Sequence, residues 1–275
     1  PSTTLFRSDS RSIGPVSVVP TTPVGIELYP VREQFAVRAS GLPQTFIQGV
    51  CFGRTLAAMS PKDEHFNIGM TLWHELAHVF HIQLSKNHVP RWFTEGLAEY
   101  ETLVERPEWR REYDPDLYEA LRLGRLPKVA DMNHAFSHAE DMQDMATAYY
   151  ASTQVVAFIA DRWGMPKVRH MLELWGEGKR TPDVVQAALG VSVDDVDRDF
   201  RASLTARLAR YRDQLAPPTR PGNVQAARTL VAAAPKDAAN VSALALALMS
   251  EGHDEEAAEM IDRALALDPK NGLAL

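Results

Sequence analysis

Cysteine is almost absent: Cys51 is the only one in 275 residues, so no intrachain disulfide can form and a zinc site built from several cysteines is excluded. A chain without disulfides suits a reducing compartment, but it suits many exported bacterial enzymes equally. Long apolar runs are missing as well. No stretch reaches the roughly 18 apolar residues that a membrane-spanning helix needs, and the first residues lack the basic and apolar regions of a signal peptide. Because the chain begins at Pro1 rather than Met, an upstream segment is expected to have been removed, and localisation stays open between cytoplasm and export. Basic charge is also scarce. A net charge of -7, a pI near 5.7 and the lack of any Lys/Arg run argue against a nucleic-acid partner and against an anionic membrane surface. What is present, 45% apolar and 24% charged residues, is ordinary globular composition with length for about two domains.

The first 23 residues are rich in Ser, Thr, Pro and Val, with Pro15, Pro20 and Pro23 preventing a helix, and read as an extended arm or linker. Gly25 to Pro30 alternates as a half-buried strand does, and Gly49 to Pro61 contains one or two more strands, so a small sheet is expected ahead of the next helix. Apolar residues at spacings of three and four predict that helix over Asn67 to Leu84, broken at Lys86-Asn87-His88-Val89-Pro90. A second helix runs from Trp92 to about Val104, with Gly96 costly unless it permits close packing. Residues 108 to 215 are mostly helical, interrupted at Pro115, Pro127, Pro166 and Pro182, with the best helix over Ala146 to Trp163. Residues 216–222 form a Pro-rich linker. Beyond them Pro235 and Pro269 stand 34 residues apart, the period of tetratricopeptide repeats, and Leu244, Ala257, Ile261 and Ala264 fit that repeat's pattern. Residues 223–275 are therefore expected to form an incomplete TPR-like helical repeat, and such a repeat predicts a protein partner.

The chemistry concentrates in His74-Glu75-Leu76-Ala77-His78, an H-E-x-x-H pattern. On a helix the two histidines lie one turn apart on the same face and can reach one metal ion, with Glu75 beside them as a base. A zinc ion so held keeps one position for water, whose pKa falls to about 7, and Glu75 would take the proton during attack on a carbonyl. A third ligand is required. His81 shares the face but lies about 10.5 Å along the axis from His74, too far to bind the same ion, and is read as a satisfied or supporting histidine. His88, His134 and His138 carry no spacing signal and read as surface or loop residues. The extended pattern H-E-x-x-H-x-x-G-x-x-H is excluded, since His81 stands in place of its Gly and Leu84 in place of its last His.

Glu95, 17 residues after His78 at the start of the next helix, stands within Pro90-Arg91-Trp92-Phe93-Thr94-Glu95-Gly96-Leu97-Ala98-Glu99-Tyr100. Together the two stretches resemble the gluzincins, and most closely the bacterial peptidase MA-like domains, with H-E-L-A-H followed by P-x-W-[FL]-x-E-G-[LI]-A-E-Y. The resemblance is strong over residues 71–101 and weaker across the rest of 24–200. It implies an α+β zincin-like fold, a zinc cofactor and Glu95 as third ligand. It also places Glu99, one turn after Glu95, where it could accept a hydrogen bond from the outer nitrogen of a zinc-bound imidazole. The run Ala148 to Phe158 is similar to the Y-x-x-x-x-[FAVL]-[LV] of the aminopeptidase-like branch and implies Tyr150 as donor to the oxyanion, with Tyr149 the near alternative. One departure stands out. Aminopeptidases of this kind carry G-x-M-E-N before the zinc helix, whereas Ala57-Ala58-Met59-Ser60-Pro61 has no acid, so an endopeptidase pairing extended substrate against this strand is favoured.

These readings combine into a zincin-like metallopeptidase domain over 24–215, with a small N-terminal sheet and a mainly helical C-terminal part, followed by the repeat. Peptide or protein is the expected substrate, His74, His78 and Glu95 the metal ligands, and Glu75 the general base. Two alternatives remain at this stage: a repeat-based binding or scaffold protein with a non-catalytic zincin domain, and a zinc hydrolase of a non-peptide amide. Cleavage preference and oligomeric state are not legible in the residues.

Overall fold

The computed structural model describes residues 23–41, 47–62, 65–139, 142–211 and 223–274. The expected arm, apart from its last residue, and the expected linker lie outside them. Two compact units divide the chain, Pro1–Gln214 and Leu215–Leu275.

The first unit begins with a sheet of three strands, β1 (Gly25–Tyr29), β2 (Gly49–Cys51) and β3 (Thr55–Met59), in the order β1-β3-β2. β3 is the middle strand, parallel to β1 from Gly25↔Thr55 to Tyr29↔Met59 and antiparallel to β2 from Gly49↔Ala58 to Cys51↔Leu56. Alternation sends Ala57 and Met59 to one face, where they bury Phe35 of α1 (Arg32–Ser40), and Leu56 and Ala58 to the other. The sequence reading assigns nothing to α1. Only Phe35 and Ala36 of its residues are buried, so its apolar stripe is too thin to stand out, and Gly41 at φ +76° ends it.

α2 (Ile68–Ser85) starts where the Asn67 side chain accepts from the Met70 N–H at 3.0 Å, and stops where Lys86 and Asn87 adopt the left-handed conformation. α3 (Arg91–Glu105) follows Pro90, and its N-terminus is held by Asn133, whose side-chain oxygen accepts the Trp92 N–H at 3.1 Å. Asn133 begins the short α5 (Asn133–Ser137), which follows α4 (Asp114–Arg122). α6 (Met142–Trp163) passes so close to α3 that a Cβ on Gly96 would sit 2.5 Å from the Ser152 carbonyl carbon and oxygen. Gly96 is thus the price of that approach, as its place inside a helix suggests.

α7 (Met165–Gly176), α8 (Thr181–Leu189) and α9 (Val193–Leu208) complete the unit. Pro115, Pro166 and Pro182, read from sequence as interruptions, stand in the first turns of α4, α7 and α8. A first-turn proline has no helical hydrogen bond to lose, so these residues open helices as well as ending the preceding segments. The core joins Trp92, Phe93 and Leu97 of α3 to Val155 and Ile159 of α6 and Trp175 of α7. Fully burying a side chain such as Phe93 is worth about 1.5–3 kcal/mol.

The second unit consists, among the described residues, of α10 (Val224–Ala233), α11 (Ala238–Ser250) and α12 (Asp254–Leu267). Asn223 and Asp237 cap α10 and α11, and Ala227, Val231, Val241, Leu244, Leu248, Ala257 and Ala264 form the core. Ile261 is half-buried and Pro269 follows α12. No helix among the described residues is long and apolar enough to cross a membrane.

Candidate metal centre

α2 and α3 pack together so that the apolar stripe of each faces the core and the polar residues beside it face each other. His74 Nε2, His78 Nε2 and Glu95 Oε2 form a small triangle: the nitrogens are 3.1 Å apart and each is 3.3 Å from the oxygen. A tetrahedral ion with bonds of about 2.0–2.1 Å holds its ligand atoms about 3.3–3.4 Å apart, so the triangle fits one metal ion. All three side chains are at least 86% buried, which limits competition from water.

The outer atoms of the triangle are also engaged. His74 Nδ1 is 3.3 Å from Glu99 Oε1, the second carboxylate of α3 one turn on. His78 Nδ1 is 2.8 Å from the Thr94 hydroxyl, and the same hydroxyl is 3.1 Å from Nδ1 of the buried His81. The remaining oxygen of Glu95 faces Arg91 Nε at 3.6 Å. Burial disfavours the charged form of His74, but Glu95 and Glu99 more than offset it and push its pKa up to about 10 in the metal-free chain. Burial likewise opposes ionisation of Glu95, yet the two histidines drive its carboxyl well below the usual range. His81, buried and beside His78, is pushed well below the ordinary histidine value.

Glu75, also of α2, lies against β2. It is 8% exposed, and burial lifts its carboxyl above the ordinary range, with His74 and His78 pulling the other way. The carboxylate is seated against Gly49 of β2: a Cβ there would lie 2.8 Å from Glu75 Cγ and 2.9 Å from Oε1. β2 is therefore the strand that borders this carboxylate. The sequence reading lays substrate along the strand of Ala57 to Pro61, but β3 has both of its edges paired, and among the described residues the unpaired edge near Glu75 is that of β2.

The two tyrosines of α6 part company. Tyr150, the residue expected at the site, donates its hydroxyl to Asp114 Oδ1 at 2.7 Å, and Arg207 holds the same buried carboxylate at 2.8 and 2.9 Å. Adjacent helical residues point about 100° apart, so a hydroxyl committed to Asp114 leaves the other face of α6 to Tyr149. Tyr149 packs edge-on against Phe136, and Arg91 stacks over the same ring at 5.1 Å. Its phenol is raised to about 12, first by burial and then by the charge of Glu95, while a hydrogen bond with Arg91 opposes the shift. His88, His134 and His138 are exposed and stay apart from the centre; the last two stack on each other.

Sequence reasoning passed over Thr94, Arg91 and Gly49. Thr94 and Arg91 fill variable places of the P-x-W-[FL]-x-E-G stretch, where nothing in the spacing singles them out, and only the seating of α3 on α2 turns them to the ligands. Gly49 carries no signal beyond being a glycine in a strand, a common mark of close backbone approach.

No curated protein and no solved structure matches the chain. The family model of the Peptidase MA superfamily matches residues 14–206, which span the sheet, the metal centre and the helices behind it, and the chain belongs to that superfamily.

Proposed function

We propose that the chain is a zinc-dependent peptidase of the gluzincin type, favouring internal bonds of an extended peptide. The observation that carries this reading is the buried triangle of His74, His78 and Glu95 with a second, desolvated carboxylate, Glu75, next to it. When bound there, zinc supplies a Lewis acid for the carbonyl and lowers the pKa of water.

The chain's own residues supply the rest. Glu99 accepts the Nδ1 proton of His74 and so keeps its Nε2 free as a donor atom. Glu75 takes a proton from the attacking water and passes it to the departing amine; its raised carboxyl pKa suits a group that must hold a proton midway through the reaction. A hydroxyl is needed to donate to the oxyanion, and we assign this to Tyr149 rather than Tyr150, whose proton is already committed to Asp114. The edge of β2 is assigned to pair with substrate backbone, because it borders Glu75 and no strand among the described residues pairs with its outer side. No acid stands at Ala57 to Ser60 to hold a free amine, which favours endopeptidase over aminopeptidase activity.

The second unit is read as a TPR-like surface for a protein partner or for substrate, on the 34-residue proline spacing and the burial of Leu244, Ala257 and Ala264. The test is direct. Glu75→Gln should retain stoichiometric zinc and lose peptide hydrolysis, His78→Ala should lose both, and chelation should silence the wild type reversibly. Purified protein that takes up no zinc by elemental analysis overturns the reading, and hydrolysis confined to non-peptide amides would reassign the substrate.

A further inference from the structure

We infer that Thr94 and His81 form a relay that locks His78 in its metal-ligating tautomer. The inference rests on the metal reading above and assigns positioning roles to two residues outside the triangle.

The Thr94 hydroxyl has one proton and stands between two imidazole nitrogens, His78 Nδ1 at 2.8 Å and His81 Nδ1 at 3.1 Å. It can donate to at most one of them, and its two lone pairs can accept from either. His78 presents Nε2 to the triangle, so a neutral ligating ring carries its proton on Nδ1 and donates it to Thr94. The hydroxyl proton is then left for His81 Nδ1, the other ring nitrogen within hydrogen-bond distance, which accepts it while that ring's own proton sits on Nε2. With a metal on His78 Nε2, the order His78 Nδ1–H to Thr94 O–H to His81 Nδ1 is the one that places the hydroxyl proton between the two rings.

Burial gives the relay its purpose. His81 is 4% exposed and Thr94 lies in the packed interface of α2 and α3, so water is poorly placed to substitute for either partner. Rings of His78 and His81 meet edge-on at 90° with centroids 5.7 Å apart, which holds both nitrogens toward the one hydroxyl. With a valine in place of Thr94, the His78 Nδ1 proton has no acceptor there and the ring is free to tilt or to exchange tautomers. Loss of such an outer partner typically weakens metal binding about 10–100-fold.

The experiment measures zinc affinity of the full chain by competition with a chromophoric chelator, together with histidine tautomers by long-range proton–nitrogen NMR of the zinc-loaded protein. Thr94→Val, which matches threonine in shape, should bind zinc about 10–100-fold more weakly at a temperature where circular dichroism shows the metal-free variant folded. Thr94→Ser, which restores the hydroxyl, should recover most of the affinity. His81→Phe should weaken binding in the native background and change nothing further in the Thr94→Val background. The wild-type spectrum should show His81 protonated on Nε2 alone. A Thr94→Val variant that binds zinc as tightly as wild type, or a His81 carrying its proton on Nδ1, overturns the relay while leaving the metal site standing. A wild type that binds no zinc overturns the metal reading and the relay with it.

Discussion

Gly49→Ala tests the placement of Glu75, the proposed general base, without altering a proposed ligand. The added methyl would lie 2.8 Å from Glu75 Cγ, 2.9 Å from Glu75 Oε1 and 2.8 Å from Thr71 Cγ2. Carbon atoms settle at about 3.5–4.0 Å, so the contacts must open by about 0.7–1.2 Å. Backbone on either side is tied into helix and sheet, whereas the Glu75 side chain can swing, so most of the shift falls on the carboxylate. A misplacement of about 1 Å at a reacting group can cost about 100-fold in rate, equivalent to about 2.7 kcal/mol of barrier. The overpacking itself should cost about 1–3 kcal/mol of stability, toward the lower end because β2 is a short edge strand. We expect kcat for casein or a fluorogenic peptide to fall about 100-fold. KM should change little and zinc content not at all, since the three atoms nearest to the added methyl belong to Glu75 and Thr71 and not to a ligand. Full activity in Gly49→Ala would refute the claim that this glycine seats the base. Loss of zinc in parallel with activity would show that the strand supports the ligands instead.

The two tyrosines should separate in a pair of variants: Tyr149→Phe lowers kcat at least tenfold with zinc retained, whereas Tyr150→Phe removes a hydrogen bond to buried Asp114 and costs about 1–3 kcal/mol in a denaturation assay without selective loss of turnover. The reverse pattern would return the oxyanion role to Tyr150. Glu101, 8% exposed on α3, offers a test of buried charge, because burial raises its pKa from 4.5 to about 7. The folded chain then keeps a proton that the unfolded chain has lost, so stability falls as pH rises from 4.5 to 7, by about 3 kcal/mol in all, and levels above that. Glu101→Gln should therefore stabilise the metal-free chain at pH near 8 and have little effect near pH 4; a difference independent of pH would refute it.

The helices that carry the metal centre were legible because their ends are written in local chemistry. Asn67 caps α2 through its own side chain, and Pro90 introduces α3 at a place where its missing N–H costs nothing. Gly96 was legible as a close approach, and the partner that explains it, the Ser152 backbone of α6, was not. α1 was illegible, since two buried residues make no periodic pattern. The strand order was equally hidden. Nothing local says that β3 pairs on both sides while β2 holds the edge beside Glu75, because that depends on which strands meet after the chain has turned back on itself.

A helix repeats every 3.6 residues, so sequence alone determined that His74 and His78 share a face and that Glu95 and Glu99 share another. It could not determine how those two faces meet. That was decided by the packing of α3 between α2 and α6, which closes the triangle to edges of 3.1 and 3.3 Å and turns Thr94 toward two histidines at once. The partner of the Tyr150 hydroxyl was decided the same way. The motif falls on Tyr150, and only the buried carboxylate of Asp114, 36 residues away in sequence, commits that hydroxyl to the scaffold.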